Sequence, residues 1–220
     1  MMLVLFDVDK TLFMNSDPLM GRATTEAIET VWGRRLAHDA IKYVDHPGQT
    51  ATRITRLLLR ADGLSDDEVD SGLEDWCREA SARYLDLLSH ADTSDWRAAQ
   101  GAAEAIARIE HRALLTGNPE PVARARMRII GLNHLFPRGQ GAFGCDAEDR
   151  AELIAIARKR AGEWPAEQTV AVGDTAADIS GARAAGIHVI GFGAGLGGAD
   201  AVIEHMSELP AALERLNAAT

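Results

Sequence analysis

Residues 3–12 read LVLFDVDKTL, so Asp7, Asp9 and Thr11 stand at alternate positions right after an apolar run. Alone, this is either a buried strand carrying two carboxylates at its tip or an ordinary strand followed by an acidic turn. Two later stretches share the form. The apolar residues 113–115 end in Thr116-Gly117-Asn118. The run 170–172 ends in Gly173-Asp174-Thr175, with Asp178 one helical turn beyond Asp174. Carboxylates crowded together repel one another and raise each other's pKa, and a divalent cation relieves the repulsion. Oxygen donors without His or Cys suit a hard ion, most naturally Mg²⁺. The seven histidines form no HxxH or HxxxH pair, which disfavours zinc. Thr116, Gly117 and the free N–H groups of a helix starting at Pro119 would make an anion site. A metal, an anion site and a spare carboxylate together suggest phosphoryl transfer, with an Asp able to act as nucleophile.

These groups converge only if the elements place them on one edge. Residues 2–7 are expected to be a strand, continuously apolar up to Asp7, as in a strand buried on both faces. Residues 15–92 hold no convincing strand. Apolar residues recur there at three and four spacing over 23–36, 49–64 and 66–90, which predicts about four helices. In the last stretch Val69, Leu73, Trp76, Ala80, Tyr84 and Leu87 form one core-facing stripe, with Ser65 or Asp66 as N-cap. After Asp92 helix and strand alternate. Helices are expected over 101–111, 119–132, 148–161, 176–186 and 207–217. Strands are expected over 112–116, near 141–144, and over 168–174, 187–192 and 199–203. Asn118 is the expected N-cap of the second of these helices, with Pro119 at N1. The pattern predicts an α/β fold: a Rossmann-like parallel sheet core, residues 1–14 and 93–220, with an all-helical cap domain inserted at 15–92. In open parallel sheets ligands bind at the carboxyl ends of the strands, where all three acidic or polar tips lie.

Composition sets the remaining bounds. The 220 residues are 46% hydrophobic and 25% charged, as in ordinary globular proteins. A net charge of −10 disfavours nucleic acid and anionic membranes as partners. No stretch approaches the length of a membrane span. The N-terminal apolar run is broken by Asp7 and lacks a basic flank, so no signal peptide is expected. The two cysteines, Cys77 and Cys145, are far apart and in no CxxC spacing. They are expected to be free thiols in a reducing, cytoplasmic setting. Of the 23 basic residues three are lysines, leaving twenty arginines, so a cation needed at a site is expected to be Arg.

The three motifs, in this order and spacing, resemble the haloacid dehalogenase-like hydrolase superfamily. The likeness is to its phosphoglycolate phosphatase-like small-molecule phosphatases, which carry a helical cap after the first motif. The family pattern DxDx[TV] matches Asp7, Asp9 and Thr11; the strand ending in Ser or Thr matches Thr116; GDTxxD matches Gly173, Asp174, Thr175 and Asp178. The resemblance implies that Asp7 attacks phosphorus and forms an aspartyl-phosphate. Asp9 then protonates the leaving alkoxide and later activates water. It also implies Mg²⁺ bound by the Asp7 carboxylate, the Asp9 backbone carbonyl and Asp174, with Asp178 as ligand or support. Thr116, Gly117 and Asn118 would bind the phosphoryl oxygens.

Two positions depart from the family. Lys10 stands where Gly is usual. The Lys-Pro of the third motif does not occur, and Arg150, sharing a helix face with Leu153, Ile154 and Ala157, is the expected replacement, ahead of Arg138. Substrate choice would fall to the cap, where loop 45–50 offers His46, Gln49 and Thr50, with Arg53 just beyond; the same loop could be a plain turn. The implied partner is a small phosphorylated metabolite, for a monomer or homodimer. A phosphomutase resembling beta-phosphoglucomutase is the main alternative. A haloacid dehalogenase is disfavoured by Asp9, and a non-catalytic protein by the intact carboxylates.

Overall fold

The structure, a computed structural model, describes residues 1–219. Among them five strands form one parallel sheet: β1 (Leu3–Phe6), β2 (Arg112–Leu114), β3 (Thr169–Gly173), β4 (His188–Phe192) and β5 (Ala201–Ile203). The spatial order is β2-β1-β3-β4-β5, so β1 is flanked by the two strands that carry the other motifs. Register aligns the tips. Phe6 pairs with Leu114 on one side and Val172 on the other, so Asp7, Thr116 and Asp174 all emerge at one edge.

Successive residues of a strand face opposite sides, and both sides of this sheet are covered. Val4 and Phe6 point into a core with helices α5 (Ala102–Ala107), α6 (Glu120–Ile129) and α9 (Leu209–Ala219). Leu3 and Leu5 point into a second core with α7 (Arg150–Arg160) and α8 (Ala176–Ala184). The fold is thus the expected α/β sheet. The segment between β1 and α5 is helical, with α1 (Leu19–Trp32), α2 (Ala51–Ala61), α3 (Asp66–Asp70) and α4 (Leu73–Ser89).

Four local expectations are corrected. The one stripe expected over 66–90 is divided between two helices, α3 and α4. The Trp32 indole lies against the break: a Cβ on Gly72 would fall 2.6 Å from it, and its Nε1–H donates to the Glu68 carbonyl at 2.9 Å. Ser65 caps α3 in a reciprocal pair with Glu68. Residues 141–144 make only one bridge, Leu115 to Ala142, rather than a strand. Its backbone does bond beside the β2 tip, with the Ala142 N–H donating to the Leu114 carbonyl at 3.0 Å and the Gly144 N–H to the Asn118 carbonyl at 2.8 Å. The helix α6 begins one residue later than expected, with Pro119 as its cap, so Asn118 is not a cap and its side chain is free for the site.

The fourth correction concerns the cysteines, which are not free thiols. Cys77 on α4 and Cys145 ahead of α7 form a disulfide. Spacing concealed it because 68 residues separate the partners and only the docking of α4 beside that loop brings them together. The bond staples the helical insertion to the sheet domain. Nearby, Arg56 of α2 pairs with Glu148 at 2.7 Å, and the Ala51 N–H donates to the Gly117 carbonyl at 2.7 Å. Closing a loop of this length removes about 4 kcal/mol of chain entropy from the unfolded state in the simplest model. Reduction is therefore expected to lower the melting temperature by roughly 5–15 °C. The Cys77→Ser/Cys145→Ser double variant should melt low with or without dithiothreitol. An unchanged wild-type melting curve under reduction would contradict this. No described helix is long and apolar enough to cross a membrane.

Candidate active site

Asp7 leaves the tip of β1 with its backbone N–H donating to the Val172 carbonyl at 2.9 Å, which fixes its carboxylate between β2 and β3. One oxygen from each of Asp7, Asp174 and Asp178 lies within 4.8 Å of the others. Burial pushes the Asp7 carboxyl well above the usual carboxylate range. Asp178 adds to that shift, while the Arg150 guanidinium opposes it. Burial likewise raises Asp174, to about 6, against the hydrogen bond it accepts from Thr11 Oγ1 at 3.0 Å.

Asp178 is occupied on both oxygens. As the third residue of α8 it accepts from the Thr175 N–H (3.0 Å) and Oγ1 (2.7 Å), and Thr175 caps the helix in return. Its other oxygen accepts from Arg150 Nη2. Gly173 is required here, because a Cβ would stand 2.3 Å from Asp178 Cγ. Asp7 and Asp174 are thus the carboxylates with oxygens left to give, and Asp178 braces them. All-oxygen donors, destabilised as a group by shared negative charge, fit a hard divalent cation. The Asp9 carboxylate stands outside the cluster.

The raised Asp174 gives a signed prediction for the metal-free protein. Between the ordinary 3.8 and about 6 the folded state binds more protons than the unfolded chain, so stability falls as pH rises through that window. Asp7 acts in the same direction. A cation that binds the ionised pair should therefore raise the melting temperature more at pH 7.5 than at pH 5. At one hundred times its Kd the gain is about 2.7 kcal/mol. Equal Mg²⁺ shifts at both pH values would count against a cation at this cluster.

Arg150 is the first residue of α7, set by the Asp149 N-cap, whose carboxylate accepts from the Ala151 and Glu152 N–H groups. Its side chain is buried, with Nη2 3.3 Å from Asp7 Oδ1. Gly181 of α8 makes room for it: a Cβ there would fall 2.4 Å from Arg150 Cγ. Arg150 Nε and Nη1 are buried without a hydrogen-bond partner. Arg138 is exposed and does not line the cavity.

That cavity, about 840 Å³, lies between the strand tips and the helical insertion. Asp7, Asp9, Thr116, Gly117, Asn118, Arg150 and Asp174 all line it. Thr116 Oγ1 accepts from the Asn118 side-chain amide at 3.0 Å. Of the four residues expected to choose the substrate, His46 and Gln49 line the cavity. Thr50 and Arg53 do not. Thr50 is the buried N-cap of α2, donating to the Glu148 carbonyl, and Arg53 lies in a separate crevice beside Glu148. Lys10 takes a left-handed backbone, φ 59°, which is why Gly is natural there. Its Nζ turns away from the carboxylates, to the Met14 carbonyl at 3.0 Å.

Three residues at the site went unrecognised in the sequence: Arg126, Asp17 and Tyr84. Arg126 Nη1 contacts both oxygens of Asp9, at 2.8 and 3.0 Å. Asp17 and Tyr84 hold the other edge of its guanidinium. One signal was available. Arg126 falls four and three residues after Val122 and Ala123, both buried, so a charge sits on an apolar face.

A family model described as haloacid dehalogenase-like hydrolase matches residues 1–186. Among curated proteins none matches. Solved structures resemble the chain over nearly its whole length. CbbY from Rhodobacter sphaeroides in complex with phosphate has a TM-score of 0.67 at 20% identity, covering 97% of this chain and 100% of that one. A predicted phosphoglycolate phosphatase from Haemophilus somnus gives 0.60 at 18%, with 96% of each chain covered. A candidate beta-phosphoglucomutase from Thermotoga maritima gives 0.56 at 22%, over 98% and 99%. At these identities the likeness is one of fold.

Proposed function

The chain belongs to the haloacid dehalogenase-like hydrolases, and from that premise we propose that it is a Mg²⁺-dependent phosphatase acting on a small phosphorylated metabolite. The observation that carries the reading is Arg150. Its guanidinium is buried beside Asp7, Nη2 3.3 Å from Oδ1, and it lines the cavity, so a phosphoryl group on Asp7 would meet a fixed cation. A guanidinium so placed can pair with phosphoryl oxygens.

In this reading an Asp7 oxygen attacks phosphorus as the ester P–O bond breaks, and Asp9 gives its proton to the leaving alkoxide. Water then attacks the aspartyl-phosphate, its proton passes to Asp9, and Asp7 is regenerated with release of phosphate. Asp7, Asp174 and the Asp9 backbone carbonyl would hold Mg²⁺, braced by Asp178. Bound there, the ion would offset the negative charge shared by the carboxylates and the phosphoryl oxygens. Arg150 with Thr116, Gly117 and Asn118 would orient those oxygens, and the insertion would act as a cap, with His46 and Gln49 facing the leaving group. Two features support phosphorus over carbon as the centre attacked: the all-oxygen cluster, and Asp9 as a second carboxylate. The net charge of −10 supports a small substrate over nucleic acid or a membrane. We place the protein in the cytoplasm as a monomer or homodimer; its disulfide would be an uncommon feature in that compartment.

The test is phosphate release from a panel of phosphate monoesters with and without Mg²⁺. Mg²⁺-dependent release from at least one sugar or carboxylic-acid phosphate is expected. Release that needs no metal would overturn the reading. Transfer to a second sugar hydroxyl in place of release would assign a phosphomutase instead.

A further inference from the structure

Of the motif carboxylates, Asp9 alone lies outside the acidic cluster and away from Arg150, yet it is not loose. Its side chain is half-exposed toward the cavity and is gripped from behind. Arg126 Nη1 spans both its oxygens, and the Asn118 amide donates to Oδ2 at 2.5 Å. Arg126 also donates to Asn118 Oδ1 at 3.0 Å, closing a triangle of Asp9, Asn118 and Arg126.

The opposite edge of the same guanidinium is held by different parts of the chain. Nε and Nη2 each lie 2.9 Å from Asp17 Oδ2, on the segment leading into the helical insertion. Tyr84 Oη, from α4 of the insertion, donates to that oxygen at 2.7 Å and lies 3.2 Å from Arg126 Nε. The guanidinium is stacked as well, 5.5 Å from the Phe13 ring centre and 5.4 Å from that of Tyr84. Arg126 and Asp17 are 3% and 2% exposed, so neither has water to replace a lost partner.

We propose that Arg126 is a positioning residue that orients the Asp9 carboxylate for proton transfer, and does so only while Tyr84 seats the helical insertion against it. A planar fork held on both edges has one orientation, and it passes that orientation to the carboxylate it spans. With Tyr84 withdrawn, the fork keeps its charge but loses its fixed direction. Correct aim of the acid–base group is thereby tied to closure of the cavity, where water is to be excluded. The inference rests on the phosphatase reading above.

The step to watch is the second one. When p-nitrophenyl phosphate is the substrate, nitrophenolate leaves without needing a proton, so Asp7 is phosphorylated readily even if Asp9 is poorly aimed. Hydrolysis of the aspartyl-phosphate still needs Asp9 to take the proton from water. Arg126→Lys, which keeps the charge but not the fork, and Tyr84→Phe, which removes one hydroxyl, should both lower kcat about tenfold or more. Because only the second step slows, KM for this ester should fall in step with kcat, leaving kcat/KM within about twofold. Both variants should then release a rapid burst approaching one nitrophenolate per enzyme before slow turnover, and an alkyl ester such as β-glycerol phosphate should show no burst. A residue that only supported the fold would give raised KM or a smaller active fraction, without a burst. Either of those results, or unchanged kcat in both variants, overturns the proposal while wild-type turnover leaves the phosphatase reading standing. A wild type inactive on every ester with Mg²⁺ removes both.

Discussion

Asp7→Asn is expected to abolish turnover, by at least about a thousandfold, while leaving the fold intact or more stable. Asparagine has nearly the shape of aspartate, so the cavity should not change. It is a far weaker nucleophile, and it removes one of the two carboxylates with oxygens free for a cation. The stability half of the prediction follows from electrostatics. Burial and Asp178 push the Asp7 carboxyl upward even with Arg150 beside it, so its negative charge is unfavourable in the fold. A neutral amide relieves that repulsion. The variant should therefore melt no lower than wild type in the absence of metal, and its Mg²⁺-induced shift should shrink. Wild-type activity in Asp7→Asn would dispose of the aspartyl-phosphate mechanism. Lost activity with a collapsed melting curve would show only that the fold had failed.

Arg150→Ala is expected to lower kcat/KM by about a hundredfold to a thousandfold, the range for removing a charged donor from a developing oxyanion. It should also cost stability, because Asp178 and Asp7 both lose a buried counter-charge; breaking such a pair costs about 3–5 kcal/mol. These effects are separable. Arg150→Lys keeps the charge, so it should recover most of the stability and part of the activity. Full recovery is not expected, since an ammonium cannot reach Asp178, Asp7 and a phosphoryl oxygen in one plane. Arg138→Ala should stay within about twofold of wild type, as expected for an exposed residue remote from the cavity. The reverse ranking would mean that the wrong cation has been assigned.

Much of this is legible in the amino-acid sequence. Unbroken apolar runs point to the strands, three-and-four spacing to the helices, and the motifs at three strand tips to the family. Arg150 could be chosen because Leu153, Ile154 and Ala157 share its helix face, and that face is indeed buried. Local signals failed where the outcome depended on a distant partner. Trp32 divides one apolar stripe into α3 and α4. Residues 141–144 bond beside the β2 tip through one bridge in place of the expected strand. Tyr84 read as a core residue, and its ring is one, but its hydroxyl belongs to the Arg126 network.

The opening carboxylates show the division most plainly. Sequence alone determined that Asp7, Asp9, Thr116, Asp174 and Asp178 should meet, because parallel strands with such tips can only present them along one edge. Their surroundings were decided by tertiary structure. Asp7 is buried against Arg150, whereas Asp9 is turned toward Arg126 and, through it, toward α4. The two cysteines pair for the same reason, since α4 lies across the loop ahead of α7. Periodicity reports which face of an element is buried, a property of neighbouring residues. Which groups meet across 68 or 117 positions depends on how whole elements dock, and no local pattern encodes that.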